Sequence, residues 1–356
     1  MDLTFLGTAS CYPCPNRGVS CTVLRNEGDC WMFDCGEGSQ IQIQKSNIRP
    51  TRITKIFITH LHGDHLFGLP GFLCTIGQSG AERDTPLELY GPIGLRRYIR
   101  TSLELSRSML GFDYIVNELA VPEKELPADW ESWQPVHDST GALHPNEKPG
   151  RLIEPDEHGV WHCYGDKRIT VKAAPLTHRV PTFGFVIEEA TLPGKLDSKK
   201  LLDLGVPPGP LYGRIKNGEN MTLDNGDVLT PQDVLGPQRL GRKIVILGDT
   251  SCSEQITSVA MDTDILVHEA TLENELLDKC IENGHSTPGM AAEFANKINA
   301  KKLILTHFSQ RYRAVSDTLK EGEESVGKLI KQAELVFSRG DVVAADDLMQ
   351  IVIPQH

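Results

Sequence analysis

The chain has 356 residues with a formal net charge of −12, and it is 39% hydrophobic and 24% charged. This composition is typical of a folded globular protein, and no apolar run approaches the length needed to span a bilayer. The acidic balance excludes a protein that coats nucleic acid through a general positive field, so any nucleic-acid contact must rest on local clusters of cations.

The first six residues have the pattern of a strand rather than of a secretory signal. With that start, the 9 cysteines predict reduced thiols rather than a disulfide framework. We therefore expect a cytoplasmic protein, with the nucleus as a further compartment.

The first clear element is a β-hairpin. Two apolar runs rich in β-branched residues, 19–24 and 30–33, flank the polar segment 25–29. Two such runs around a short Gly-containing turn predict antiparallel strands.

Further short apolar runs each lead to a polar residue. The runs cover residues 55–60, 169–174, 243–249, 264–269 and 302–307. They lead to His60, His178, Asp249, Glu269 and His307. Buried strands that present polar side chains at one rim are how layered α/β folds build their sites.

Helices are predicted at 288–300, where Thr287 can cap and Pro288 suits the first turn, and at 318–334. Both are expected to cover a sheet face. Residues 119–165 form an insertion of unknown role. Residues 192–236 form a second insertion, rich in Gly and Pro, that is expected to be an arm on a single domain spanning 1–356.

The segment 60–65, His-Leu-His-Gly-Asp-His, carries the strongest chemical signal. It places four side chains of metal-ligand type in six positions directly after an apolar strand. Burying that many polar groups is costly unless a cation or hydrogen bonds satisfy them. The motif therefore predicts a metal site.

Two ions are favoured over one, because a single tetrahedral ion rarely takes all four ligands from one loop. One predicted set is His60, His62, His178 and Asp249. The other is Asp64, His65, Asp249 and His307. Asp249 is the predicted bridge, since the two oxygens of a carboxylate can reach neighbouring cations.

The pattern HxHxDH, together with His178, Asp249 and His307, resembles the metallo-β-lactamase superfamily. Within it, four features resemble the short form of the tRNase Z (ribonuclease Z) family. They are Asp34 in 33–38, the sequence His-Glu-Ala-Thr at 268–271, His-Ser-Thr at 285–287, and the Gly/Pro-rich arm. The resemblance implies an αββα sandwich in the α/β class, two Zn²⁺ per subunit, and a homodimer in which one subunit's arm clamps RNA for the other.

The same resemblance implies an endoribonuclease that removes the 3′ trailer from precursor tRNA. The tRNA would keep a 3′-hydroxyl and the trailer a 5′-phosphate. Asp64 is expected to accept or orient the proton of the attacking water. His285 is expected to donate to the leaving oxygen, with Glu269 holding its ring. Asp34 is expected to support the ligands, and His268 is not expected to be one.

RNA contacts are predicted at cations of the early loop, the arm and the metal rim. Arg17 resembles the residue that helps this family judge the 3′ side of its RNA. The other predicted contacts are Lys195, Lys199, Lys200, Arg214, Lys216 and Arg311, with Arg179 and Arg313 near the rim. The pair Cys11 and Cys14 has C-x-x-C spacing but no second such motif, which favours incidental thiols.

Two alternatives stay open from the residues alone. One is a dinuclear hydrolase of small phosphodiesters, thioesters or lactones, which would need the ligands but not the arm. The other is an inactive RNA-binding protein, against which the full set of ligands, Asp64 and His285 argues.

Overall fold

The computed structural model describes residues 1–78, 83–123, 126, 142–223, 225–315 and 317–355. The predicted insertion at 119–165 is therefore described only in part, since 124–125 and 127–141 lie outside these residues. The chain divides into a larger unit, Met1–Gly165, Val171–Ile187 and Lys243–Pro354, and a smaller unit that contains Asp166–Thr170 and Glu188–Arg242.

Two sheets form the centre of the larger unit; strands and helices are numbered along the chain. The first sheet contains β1 (Asp2–Gly7), β2 (Cys21–Asn26), β3 (Asp29–Phe33), β4 (Ile53–Phe57), β5 (Leu87–Pro92), β6 (Tyr114–Leu119), β7 (Glu147–Lys148), β8 (Leu152–Ile153) and β20 (Gln350–Val352). Its order is β20-β1-β2-β3-β4-β5-β6-β7, with β8 also paired to β6. From β3 to β6 neighbouring strands are parallel.

The second sheet contains β9 (Trp161–Gly165), β10 (Ile169–Leu176), β11 (Thr182–Glu189), β14 (Lys243–Ile246), β15 (Ile265–Glu269), β16 (Lys302–Thr306) and β19 (Asp341–Ala344). Its order is β19-β16-β15-β14-β11-β10-β9. Two short pairs stand apart, β12 (Met221–Thr222) with β13 (Val228–Leu229), and β17 (Tyr312–Arg313) with β18 (Glu324–Ser325).

The described α-helices are α1 (Ser39–Lys45), α2 (Gly63–Leu66), α3 (Leu69–Gln78), α4 (Leu95–Leu105), α5 (Ser198–Asp203), α6 (Pro210–Lys216), α7 (Pro231–Val234), α8 (Thr257–Ala260), α9 (Leu277–Glu282), α10 (Pro288–Lys297) and α11 (Val326–Glu334). None of the helices in the described residues is long and apolar enough to cross a membrane.

Apolar side chains fill the three interfaces between helices and sheets. Residues of α1, α3 and α4 pack against one face of the first sheet, as Phe72 and Ile99 do in the cluster around Ile56. Residues of α10 and α11 pack likewise on the second sheet. Between the sheets, the ring of Phe57 lies 5.0 Å from that of Phe33 and 5.3 Å from that of Phe185 on β11. The layers run helix, sheet, sheet, helix, which confirms the αββα prediction.

The predicted hairpin is confirmed. Strands β2 and β3 pair antiparallel with Asn26 opposite Asp29. The two-residue turn needs a left-handed backbone, which Glu27 supplies with φ of 55°.

The two predicted helices differ in outcome. Helix α10 begins at Pro288 as predicted, and the Thr287 hydroxyl accepts from the Met290 amide. The predicted start of the last helix at 318 is wrong. That helix begins at Val326, after β18, because the Ser325 hydroxyl accepts from the Gly327 amide and caps it there.

The smaller unit holds the predicted arm, here Glu188–Arg242. It is not wholly irregular, because α5, α6 and α7 enclose a small core of its own. That core consists of Leu201, Val206, Ile215, Leu229 and Val234. The two ends of the arm run side by side, with backbone hydrogen bonds of 2.9 Å in both directions between Leu192 and Arg239. A bidentate ion pair between Glu189 and Arg242, at 2.6 Å, lies at its base.

Candidate metal centre and active site

Strand ends bring the predicted ligands together. Strands β14, β15 and β16 are parallel neighbours, so their carboxyl ends share one sheet edge. Asp249 follows β14, Glu269 ends β15 and His307 follows β16. The loop 60–65 leaves the end of β4 in the other sheet, and His178 follows β10.

The first predicted set converges on one point. The His62 Nδ1 atom lies 3.1 Å from His60 Nε2 and 3.2 Å from His178 Nε2. The Oδ2 atom of Asp249 lies 3.8 Å from His60 Nε2 and 3.9 Å from His178 Nε2. One proton cannot satisfy three nitrogens at these separations, so the geometry is that of ligands around a shared cation.

The second predicted set is equally tight. The His65 and His307 Nε2 atoms lie 3.3 Å apart, and each lies 3.3 Å from Oδ1 of Asp249. Asp64 Oδ2 lies 3.3 Å from His307 Nε2 and 3.8 Å from His65 Nε2. Asp249 thus turns one oxygen to each set, as a bridging carboxylate does.

Both sets have dimensions that suit zinc. Ligands about 2.1 Å from a tetrahedral zinc ion are separated from one another by roughly 3.4 Å. The observed separations run from 3.1 to 3.9 Å in the first set and from 3.3 to 3.8 Å in the second. Imidazole and carboxylate donors are also the ligand types that zinc accepts.

Hydrogen bonds on the far side of the rings aim the ligand nitrogens inward. His65 Nδ1 donates to Asp34 at 2.7 Å, and His178 Nδ1 donates to the Gly284 carbonyl at 2.6 Å. The Nδ1 atom of His307 lies 3.0 Å from the Thr271 hydroxyl. Protonated Nδ1 leaves a lone pair on Nε2, which is the form that binds a metal. Asp34 therefore lies where the sequence predicted a supporting residue.

Gly284 is required for the close approach to His178. Its backbone is left-handed, with φ of 77°, and a Cβ atom there would stand 2.6 Å from His178 Nδ1. Any larger residue would push the imidazole out of the first set.

Protonation states fit cation binding. Burial holds the pKa of His60 well below its usual value and lowers that of His62 to about 4, so both rings are neutral. Burial alone would raise the pKa of Asp249, but positive charge on the facing rings of His307 and His65 outweighs it and holds the carboxyl ionised, a part that a bound cation would take over. Asp249 and Glu269 are almost fully buried. Their charge needs a positive partner in the site.

Glu269 lies beside His285 as predicted. The His285 Nδ1 atom is 3.2 Å from one Glu269 oxygen and 3.3 Å from the other. The Thr250 amide donates to Glu269 at 2.7 Å and fixes the carboxylate. Burial favours the neutral ring, but Glu269 outweighs it and raises the pKa of His285 to about 9. His285 can therefore hold a proton at neutral pH.

The pKa of Asp64 is shifted in the opposite direction to that of His285. Burial acts to raise the pKa of Asp64, yet the charge of His65 and the adjacent His307 ring hold it far below its usual range. Its Oδ2 atom also accepts from the Cys11 amide at 2.6 Å. A carboxylate of such low basicity is better suited to orienting water than to storing a proton.

Three further residues singled out by the sequence lie outside both metal sets. His268 is buried and bonds to the Ser253 hydroxyl at 3.1 Å and to the Glu269 carbonyl at 2.9 Å. It belongs to neither set, in line with its exclusion as a ligand. Cys11 is exposed and Cys14 is half-buried, and both are free thiols.

The position of Arg17 corrects its predicted role in contacting RNA. Its side chain is only 6% exposed and donates to the Thr8 hydroxyl at 2.6 Å. Its guanidinium also lies 3.7 Å from Asp346 and 5.3 Å from the centre of the Phe308 ring. Arg17 therefore holds the early loop against the protein body instead of presenting a cation to solvent.

The other predicted RNA-binding cations are exposed: Lys195, Lys199, Lys200, Arg214, Lys216 and Arg311. Two of them are already engaged within the arm. Arg214 pairs with Glu219 at 2.7 Å, and Lys200 donates to the Asp233 carbonyl at 2.6 Å. Among the cations of the arm, the prediction of phosphate contact is therefore strongest for Lys195, Lys199 and Lys216.

The groups that orient the rings could not be predicted from the sequence. They are the Thr59 hydroxyl, 3.1 Å from His60 Nδ1, the Thr271 hydroxyl and the Gly284 carbonyl. Thr59 and Gly284 each directly precede a histidine of the site, which is the one local signal available. A backbone carbonyl has no sequence signature of its own.

The comparisons with known proteins agree with this site. A family model described as the metallo-beta-lactamase superfamily matches residues 14–169. The chain is 50% identical to zinc phosphodiesterase ELAC protein 1 of Homo sapiens over 99% of both chains. It is 35% identical to ribonuclease Z of Acaryochloris marina, over 100% of this chain and 98% of that one.

A solved structure extends the likeness. The crystal structure of human tRNase Z, short form (ELAC1), aligns with a TM-score of 0.68 over 99% of this chain and all of that one. Identity in this structural alignment is 39%. The chain belongs to the tRNase Z (ribonuclease Z) family, short form, of the metallo-β-lactamase superfamily.

Proposed function

We propose that this protein is a zinc-dependent endoribonuclease that removes the 3′ trailer from precursor tRNA. The cut leaves a 3′-hydroxyl on the tRNA and a 5′-phosphate on the trailer. The observation that carries the proposal is the pair of adjoining ligand sets that share Asp249, with His285 and Glu269 beside them. Precursor tRNA is proposed as the substrate because the chain belongs to the tRNase Z family.

The proposed cofactor is two Zn²⁺ per subunit. His60, His62, His178 and Asp249 would hold one ion, and Asp64, His65, Asp249 and His307 the other. When bound, a zinc pair acidifies water and neutralises charge on phosphoryl oxygens, which suits in-line displacement at phosphorus.

The protein's own residues then orient the attacking water and donate a proton to the leaving group. Asp64 orients the attacking water, in keeping with its low basicity. His285 enters the reaction protonated and gives its proton to the departing 3′ oxygen. Glu269 holds the ring by Nδ1, so the proton is delivered from Nε2. General acid catalysis of this kind contributes about 10²- to 10⁴-fold in rate.

The arm supports a folded RNA as the substrate. Residues 195–216 contain five cations, Lys195, Lys199, Lys200, Arg214 and Lys216, against two acids, Asp197 and Asp203. This segment has a net charge of +3, whereas residues 217–236 add four acids and no cation, so the whole arm at 192–236 has a net charge of −1 and its cations are clustered in 195–216. Exposed cations that contact phosphates read the shape of a backbone rather than its base sequence, which suits tRNA.

The test is cleavage of a 3′-extended precursor tRNA by the purified protein, with and without chelator. One chelator-sensitive cut at the acceptor end is expected, lost in Asp64→Ala and in His285→Ala. His162→Ala is the matched control, because His162 is an exposed histidine paired with Asp156 outside the site. An intact RNA beside rapid hydrolysis of a small ester would instead favour the small-molecule hydrolase.

Deleting residues 192–236 separates these activities further. A small diester should be cleaved nearly as before, because every proposed ligand lies outside the deletion. Cleavage of precursor tRNA should collapse. Equal loss on both substrates would show that the arm is needed for folding rather than for RNA binding.

Assembly and location are also proposals. A homodimer, implied by the family resemblance, predicts twice the chain mass in light scattering at micromolar concentration. A cytoplasmic location, with the nucleus as a second compartment, predicts that a tagged full-length chain is found there by microscopy.

A further inference from the structure

Phe67 is an exposed aromatic residue beside the metal-binding loop. Its side chain is 62% exposed, although it follows the ligand His65 by only two positions. A single exposed apolar side chain is ordinary, so what matters at Phe67 is where its ring lies.

The metal-binding loop itself holds the Phe67 ring in place. Phe67 directly follows the short helix α2, and its amide donates to the Gly63 carbonyl at 2.8 Å. A Cβ atom on Gly63 would stand 2.3 Å from the Phe67 ring. The ring therefore rests on the bare backbone of a residue between two ligands, and its position follows that of the ligands.

The ring lines the same pocket as the reacting groups. That pocket has a volume of about 360 Å³, and its walls include Asp64, Asp249, His285 and Arg179 as well as Phe67. A phosphodiester placed at the ligands must extend its neighbouring nucleotides along these walls. Phe67 is the aromatic residue among them.

We propose that Phe67 is a positioning residue on which a base next to the scissile phosphate stacks. The proposal rests on the proposed function, since it requires an RNA substrate. Stacking on an aromatic face accepts every base, because every base has a π face. An enzyme that processes many different tRNAs needs this kind of contact, which fixes a nucleotide without reading its identity.

The experiment compares precursor tRNAs that differ in one base. One substrate is natural, a second lacks the base on the 5′ side of the cut, and a third lacks the base on the 3′ side. Phe67→Leu keeps an apolar side chain but removes the π face, and Phe67→Trp keeps the face. Leu105→Ala is the matched control, because Leu105 is 82% exposed at the end of α4.

On the natural substrate, Phe67→Leu should lower kcat/KM about 5- to 100-fold, the range expected for one base stacked on an aromatic ring. Phe67→Trp and Leu105→Ala should stay within about 3-fold of the wild type, a smaller change than removal of one stacked base would cause. On one of the two abasic RNAs the wild type should fall by the same factor, and Phe67→Leu should fall no further. That RNA identifies which neighbour stacks.

Arg179→Met provides a contrast in the same pocket. A cation that contacts phosphate should matter equally with and without the base, so the effect of its removal should be the same on all three RNAs. Zinc content of Phe67→Leu should match that of the wild type, which separates positioning from damage to the ligands.

An equal decrease for Phe67→Leu on all three RNAs, or no decrease on any, would overturn the stacking role. A changed oligomeric state together with an equal decrease would assign the ring to an interface between copies. A wild type that fails to cleave the natural RNA would instead refute the proposed function.

Discussion

Replacing Asp34 by Asn should impair the second metal set without altering the backbone. Asp34 accepts hydrogen bonds from His65 Nδ1 and from the Thr59 amide, each at 2.7 Å. It lies in the left-handed region, with φ of 59°. Asn tolerates this region well, so Asp34→Asn adds no backbone strain.

The defect should arise from the tautomer of His65. The Asn oxygen can still accept from the Thr59 amide, but its NH₂ group would then face His65 Nδ1. Two donors cannot pair, so the imidazole proton moves to Nε2, where it blocks the lone pair that would bind the cation of the second set. Removing a supporting hydrogen bond of this kind costs about 10- to 100-fold in metal affinity, or about 1.4–2.7 kcal/mol.

The assay is competitive zinc titration against a chelator of known affinity, followed by precursor-tRNA cleavage at saturating zinc. Asp264→Asn is the control. Asp264 is buried like Asp34, at 7% against 6% exposed, but it accepts from the Lys243 amide and from Lys301 at the opposite end of β15. Asp264→Asn should lose stability and keep its zinc affinity. The tautomer argument is refuted if both variants bind zinc as tightly as the wild type.

Three further predictions concern the metal, the proton donor and the arm. Removing zinc with a chelator should lower the free energy of unfolding by about 4 kcal/mol, compared with protein at a free zinc concentration 1,000-fold above Kd. The reason is that Asp249 and Glu269 lose their counter-charge. An unchanged Tm after zinc removal would contradict this prediction. Glu269→Gln should lower the pKa of His285 from about 9. Because the protonated ring is the active form, the alkaline limb of the plot of kcat against pH should move to lower pH. A limb that stays in place would show that His285 is not the proton donor. Substituting Lys199 and Lys216 by Ala should weaken RNA binding and reduce the slope of log K against log salt by about one for each phosphate that is no longer bound. Arg214→Ala should weaken binding less, because Glu219 already pairs with Arg214. Equal effects of these substitutions in a filter-binding titration would contradict that ranking.

Much of the site could be predicted because its chemistry is local in the chain. The four candidate ligands at 60–65 occupy one turn, and the strand-ending residues Asp249 and His307 are each marked by an apolar run followed by a polar residue. Strand ends of a layered α/β fold gather at a rim whatever the loops between them do. The division of ligands into two sets followed from the same reasoning.

The roles that could not be predicted depend on partners far away in the chain. Arg17 was expected to face RNA, but its guanidinium lies over the ring of Phe308, far away in the chain, and donates to the Thr8 hydroxyl. The start of the last helix was misplaced because β18 pairs with β17 and uses the residues before Val326. Periodicity alone does not reveal which segments a sheet will recruit.

The amino-acid sequence by itself determined the ligand types and their order, because residue spacing and apolar periodicity act over short distances, and its resemblance to a known family implied the layered fold. Tertiary structure alone decided which imidazole nitrogen faces each metal set. That choice depends on Asp34, Thr271 and the Gly284 carbonyl, the last of them 106 positions from the ring of His178 that it orients. Such contacts exist only after two sheets have packed, and hydrogen-bond direction is a property of that packing.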